Sequence, residues 1–141
     1  MKRSYILLKV LDRKKAILGA DHPDTLLTMH CLGLTYVDQR KLKEAEQLLL
    51  RVLEGRKAKL GAGHLGTLLT MHCLALAYVD QGRLKESEKL LLKVLDGRKA
   101  KLGADHPDTV LSMSCLALVY RDQGRLNETK DLELQILNGR K

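Results

Sequence analysis

The chain contains neither tryptophan nor phenylalanine, and its tyrosines number four. Three of these, Tyr36, Tyr78 and Tyr120, recur at one position of an internal repeat and read as packing residues, so platforms on which nucleic-acid bases could stack are missing. The net charge of +8 then leaves only a salt-sensitive attraction to phosphate, and no specific nucleic-acid partner is expected. Uninterrupted apolar runs long enough to cross a bilayer are also absent, which argues against a membrane partner. Cysteine is scarce and odd in number: Cys31, Cys73 and Cys115 are one residue copied three times, with no C-x-x-C pair. Equivalent positions on stacked helices stand about 10 Å apart, whereas a disulfide needs Cα atoms within about 7 Å. The thiols are therefore expected to stay reduced, which suits a cytoplasmic location. Met1-Lys2-Arg3 and the apolar run after it lead straight into Lys9, Asp12 and Arg13 with no small-residue cleavage site, so no export signal is expected.

What is present is repetition. Gly19–Leu60 is written again as Gly61–Leu102, with 31 of 42 positions identical, and a third, looser copy starts at Gly103. A fixed period carrying two amphipathic stretches marks a solenoid, in which each unit buries its apolar face only against its neighbours. In the first copy Leu26, Met29, Leu32, Gly33 and Tyr36 form one helical stripe, and Leu42, Ala45, Leu48, Leu49, Val52 and Leu53 form the next. Each copy thus reads as a helix hairpin. Its turn is Gln39-Arg40-Lys41, then Gln81-Gly82-Arg83, then Gln123-Gly124-Arg125; glycine suits the left-handed backbone that ends a helix, and Arg40 suits it less.

The first helix of a copy opens with Asp21-His22-Pro23-Asp24-Thr25, repeated at Asp105–Thr109, which reads as an aspartate cap followed by a first-turn proline. The middle copy has Gly63-His64-Leu65-Gly66-Thr67 instead and is expected to fray more easily at its start. Residues 2–18 align without a gap onto 44–60, so the chain begins with a second-type helix that lacks a partner and exposes Ile6, Leu7, Val10 and Leu11. Glu133 replaces Leu49 and Leu91 near the other end and is expected to act partly as a polar cap. The expected organisation is one array: 1–18 the orphan helix, then repeats at 19–60, 61–102 and 103–141. Their net charges of +5, +1, +3 and −1 give a basic and an acidic end. Much of the excess lies in Arg13-Lys14-Lys15, Arg56-Lys57, Arg98-Lys99 and Arg140-Lys141, where cations offset the negative ends of helices; a ladder that meets an acidic partner is the alternative.

The spacing Met29-x-x-Leu32-Gly33-x-x-Tyr36, followed by Ala45-x-x-x-Leu49, resembles the tetratricopeptide pattern. The 42-residue period and the phrases Gly-Ala-Asp-His-Pro-Asp-Thr and Tyr-x-Asp-Gln-Gly-Arg-Leu resemble its kinesin-light-chain-like branch, including sensor arrays of fungal NOD-like signalling proteins. The resemblance implies an all-α, right-handed α-solenoid of antiparallel hairpins and a noncatalytic scaffold that binds a protein or peptide segment in a concave groove. The groove positions it implies are Leu27, His30, Cys31, Leu34, Val37 and Asp38; Leu69, His72, Cys73, Leu76, Val79 and Asp80; and Leu111, Ser114, Cys115, Leu118, Arg121 and Asp122. The chain departs from the family in carrying cysteine where asparagine commonly holds a peptide backbone, and Val37 and Val79 where a basic residue often follows the tyrosine.

His30-Cys31 and His72-Cys73 hold zinc-type ligands, but neighbours on a helix point about 100° apart, so no metal is expected. A cysteine–histidine nucleophile needs an orienting third group, and duplication of the pair, with Ser114 replacing the third histidine, favours scaffold over catalysis. Neither a catalytic residue nor a cofactor is expected, and no Gly-x-x-x-x-Gly-Lys-Ser/Thr loop occurs. The alternative functions are head-to-tail self-association through the exposed terminal helices or, as the resemblance implies, a fragment of a larger signalling receptor's sensor region.

Overall fold

The computed structural model describes residues 2–139; Met1 and the basic pair Arg140–Lys141 lie outside them. Among the described residues there are seven α-helices and no strand: α1 Lys2–Leu18, α2 Pro23–Asp38, α3 Leu42–Leu60, α4 Leu65–Asp80, α5 Leu84–Leu102, α6 Pro107–Asp122 and α7 Leu126–Gly139. Each helix packs on the one before and the one after it, and α2 also touches α4, which is the nearest-neighbour order of a helical solenoid.

The core follows the same order as three clusters strung along the rod. Leu11, Leu26, Met29, Leu32 and Val52 form the first; Leu49, Leu53, Leu68, Met71, Leu74 and Val94 the second; Leu91, Leu95, Met113, Leu116, Val119 and Leu132 the third. The first cluster joins α1 to the first copy through Leu11, and each of the other two spans two 42-residue copies. Burying a leucine contributes about 1.5–3 kcal/mol, so a copy separated from its neighbours would forfeit much of its stabilisation.

Close approach needs glycine at one position in the second helix. A Cβ on Gly97 of α5 would lie 2.6 Å from Leu68 Cδ1, and one on Gly55 of α3 would lie 2.8 Å from Leu26 Cδ1. The paired helices therefore touch backbone to leucine.

Two expectations need correction. The helix starts are capped by histidine rather than aspartate: Nδ1 of His22, His64 and His106 accepts the N–H of Asp24, Gly66 and Asp108 at 3.0–3.1 Å. The ring stands in for the carboxylate as an acceptor from the second helical N–H. The middle copy keeps this cap and also has a hydroxyl bond, Thr67 Oγ1 to Gly61 O at 2.8 Å, so its lost proline and aspartates are partly offset. The orphan helix is also less bare than its pairing suggested. Leu11 is buried against Leu26 and Met29, and Leu7 and Val10 are half-buried, because a second-type helix offers one face to the copy that follows it. Ile6, Tyr5, Leu8 and Ile17 are exposed. At the other end Glu133 is exposed, yet Leu134 and Leu137 are exposed beside it, so the polar cap is partial.

The hairpin turns behave as their sequences suggest. Lys41 N–H donates to Tyr36 O at 2.8 Å and Arg40 N–H to Val37 O at 3.0 Å, the bonds of a left-handed helix terminus. Gly82 and Gly124 occupy the matching place at φ +78°, whereas Arg40 is forced to +64°. Replacing Arg40 with glycine relieves about 1 kcal/mol of steric cost and sacrifices an exposed ion pair to Asp80 at 3.3 Å, worth a fraction of that. The expected result is a net gain of about 0.5 kcal/mol in urea denaturation, and a loss would show that the ion pair outweighs the strain.

Candidate binding face on the first helices

Residues seven apart on a helix lie on one side of it, two turns from each other. Leu27 and Leu34 on α2, Leu69 and Leu76 on α4, and Leu111 and Leu118 on α6 obey that spacing, and all six are 38–50% exposed. Their neighbours Leu26, Leu32, Leu68, Leu74 and Leu116 are buried. The first helices thus carry two kinds of leucine, one holding the core and one facing solvent in three matching pairs.

The other sequence-implied groove residues fall into distinct environments. Cys31, Asp38, Asp80, Asp122 and Arg121 are exposed, while Val37, Val79, Ser114 and Cys115 are half-buried. His30, His72 and Cys73 are buried at 5%, 6% and 8% exposure, so they do not line an open surface. The aspartate ladder is uneven, because Asp80 is engaged by Arg40 of the preceding turn while the glycine at the next turn offers Asp122 no such partner.

Burial also decides the chemistry of the histidine–cysteine set. His30 Nε2 stands 3.9 Å from Cys73 Sγ, a contact between successive copies rather than within one. Burial, and then the nearby Arg56 charge, pulls His30 down to about 4; burial, and then Arg98, does the same to His72. Burial pushes the Cys73 thiol up to about 11. The ring is held neutral and the thiol protonated, the reverse of an activated nucleophile–base pair. His30 Nδ1 and His72 Nδ1 are buried without a hydrogen-bond partner among the described residues, so no third group orients either ring. Among the described residues no three His, Cys, Asp or Glu side chains gather as metal ligands.

Two arginines read from sequence as terminal cations turn inward. Arg56 Nη1 donates to Gly66 O and Thr70 Oγ1, both at 2.9 Å, and Arg98 Nη1 donates to Asp108 O at 3.1 Å and Ser112 Oγ at 2.9 Å. They join the end of one copy to the start of the next. A signal was available: a hydroxyl residue follows each arginine by fourteen positions, at Thr70 and Ser112. At the opposite edge the turn arginines bridge copies by charge. Arg83 reaches Glu46 and Glu86, and Arg125 reaches Glu88 and Glu128, each bond 2.8 Å long, and each guanidinium lies 4.2 Å over Tyr78 or Tyr120. Both edges lock successive copies, leaving the leucine pairs free of any such role.

A family model for the tetratricopeptide repeat matches residues 25–65, 67–108 and 109–141. Among solved structures, two forms of a Podosopora anserina protein, described as kinesin light chain-like with nearly identical TPR-like repeats, superpose with TM-scores of 0.84 and 0.83 at 28% and 27% identity. They cover 98% and 99% of this chain, which spans 65% and 66% of theirs. BtubC (BKLC) from P. vanneervenii superposes at a TM-score of 0.90 with 14% identity, over 97% of this chain and 55% of that one, and supports the fold alone. No curated protein compared with the chain matches it.

Proposed function

Because the chain belongs to the tetratricopeptide repeat family, we propose that it is a noncatalytic scaffold which takes a peptide or partner segment on the leucine face of α2, α4 and α6. Tetratricopeptide repeats mediate protein–protein interaction. The observation that carries the finer reading is the set of three matching exposed leucine pairs. Six half-exposed leucines on adjoining helices cost solvation free energy that a docked apolar segment would recover at about 25 cal/mol per Å². Exposed Asp38 and Asp122 at the helix ends favour a segment with basic residues beside its apolar anchors. No helix among the described residues is long and apolar enough to cross a membrane, and three free thiols fit a reducing cytoplasmic setting. A peptide-library selection tests the proposal: ligands should perturb the methyl resonances of Leu34, Leu76 and Leu118. Perturbation confined to the opposite helices would place binding elsewhere.

Head-to-tail self-association is the second reading, favoured by exposed Tyr5, Ile6 and Ile17 on α1 and by Leu134 and Leu137 on α7. Light scattering across concentration and salt separates it from the first.

A further inference from the structure

A cavity of about 260 Å³ lies where the starts of α2 and α4 meet the end of α3, away from the leucine face. Pro23, Leu26 and Leu60 form its apolar walls. Its polar lining is Arg56, Lys59 and His64, with no carboxylate among the lining residues. Neither cation makes an ion pair among the described residues. Arg56 spends Nη1 on Gly66 O and Thr70 Oγ1, both neutral acceptors. His64 Nδ1 already accepts from Gly66 N–H at 3.0 Å, which leaves Nε2 of the neutral ring as a donor.

The first and third copies supply their own anions at this point. Asp24 and Asp108 stand where the middle copy has Gly66, and Asp21 and Asp105 where it has Gly63. The junction of the first and middle copies thus has the cations Arg56 and Lys59 from the end of α3 without a carboxylate at the start of α4. Lys101 adds a further cation nearby, its Cε 4.0 Å from where a Cβ on Gly63 would sit. A Cβ on Gly66 would lie 3.3 Å from His64 Nδ1 and 3.6 Å from Leu60 Cδ1, so a side chain there stands against the cavity wall.

From the unpaired cations, the apolar walls and the carboxylates missing from this copy alone, we propose that the cavity binds an apolar monocarboxylate. Its carboxylate meets Lys59 and Arg56, and its hydrocarbon lies on Leu26, Leu60 and Pro23. The volume is below the roughly 300 Å³ at which drug-sized sites begin, so the ligand is a short branched acid or the carboxyl-terminal residue of a peptide. Charge-assisted hydrogen bonds fix the head group, and the walls reject a small hydrated anion. The site is independent of the leucine face and stands whether or not a peptide binds there.

The test is an amide NMR titration of the full chain with N-acetyl-leucine, its neutral amide and inorganic phosphate. N-acetyl-leucine should shift Gly66 and Leu60 saturably in the millimolar range, with the amide and phosphate each about tenfold weaker or worse. Gly66→Asp, which restores the carboxylate of the sister copies, and Lys59→Met should each weaken binding about tenfold with the melting temperature of Gly66→Asp undiminished. A peptide ending in leucine that binds more tightly than N-acetyl-leucine identifies a chain end as the source; equal or weaker binding identifies a free acid. Equal affinity for acid and amide, phosphate binding as tightly as the acid, unchanged binding in both variants, or no saturable shift would overturn the proposal.

Discussion

Acidification from pH 7 to pH 4.5 should cost the fold several kcal/mol and lower its melting temperature by about 10 °C or more. His30 and His72 are the cause. Each is held near 4 in the folded chain by burial and a neighbouring arginine, against about 6.5 when exposed. A depressed base binds fewer protons folded than unfolded, so stability is full above about 6.5 and drains away as pH falls towards 4. The slope is about 1.4 kcal/mol per pH unit for each ring once pH is below 6.5, which over this interval amounts to about 2–3 kcal/mol per histidine. The double variant His30→Leu, His72→Leu should flatten the dependence between pH 6.5 and 4.5 and be at least as stable at pH 7, since both Nδ1 atoms are buried without partners among the described residues. Thermal melts across that range decide it. An equal slope in the double variant would move the cause elsewhere.

Arg98→Ala should cost about 2–4 kcal/mol, the largest expected loss from any single surface-type residue in the chain. Arg98 is only 5% exposed and has no ion-pair partner among the described residues. Its guanidinium is held by one carbonyl and one hydroxyl across the junction of α5 and α6. Truncation removes both bonds and leaves the volume of a long side chain empty. Arg98→Met keeps most of that volume and discards a buried charge, so it should lose about 1 kcal/mol or less. Arg56→Ala should fall between the two, because Arg56 is half-buried. Urea denaturation of the three variants checks the order; equal losses in Arg98→Ala and Arg98→Met would mean that charge and not volume governs the junction.

The helices were legible because their apolar residues recur at a period that only a helix satisfies, and the 42-residue copy fixed where each hairpin began. Turn chemistry was legible too, as Arg40 and Gly82 illustrate at one shared position. What a single helix cannot disclose is the identity of its neighbour. His30 follows exposed Leu27 by three residues and reads as groove, yet α4 lays Cys73 against it and closes it from water. Arg56 and Arg98 read as solvated helix-end cations because pattern gives spacing and not the direction of a flexible side chain. In sequence the caps read as Asp21 and Asp105 because aspartate is the commoner acceptor, but His22 and His106 stand one residue nearer the N–H that needs one. Of the implied groove, the leucines, Asp38 and Asp122 are accessible, while Asp80 is paired with Arg40.

The decisive measurement is the affinity of library-selected peptides for the chain and for its Leu34→Ala, Leu76→Ala, Leu118→Ala variant, with melting temperatures recorded alongside. The three leucines are 38–49% exposed, so their truncation should leave the fold standing while binding weakens by about tenfold or more, roughly 1.4 kcal/mol. Unchanged affinity in a folded variant would show that the first helices do not hold the ligand.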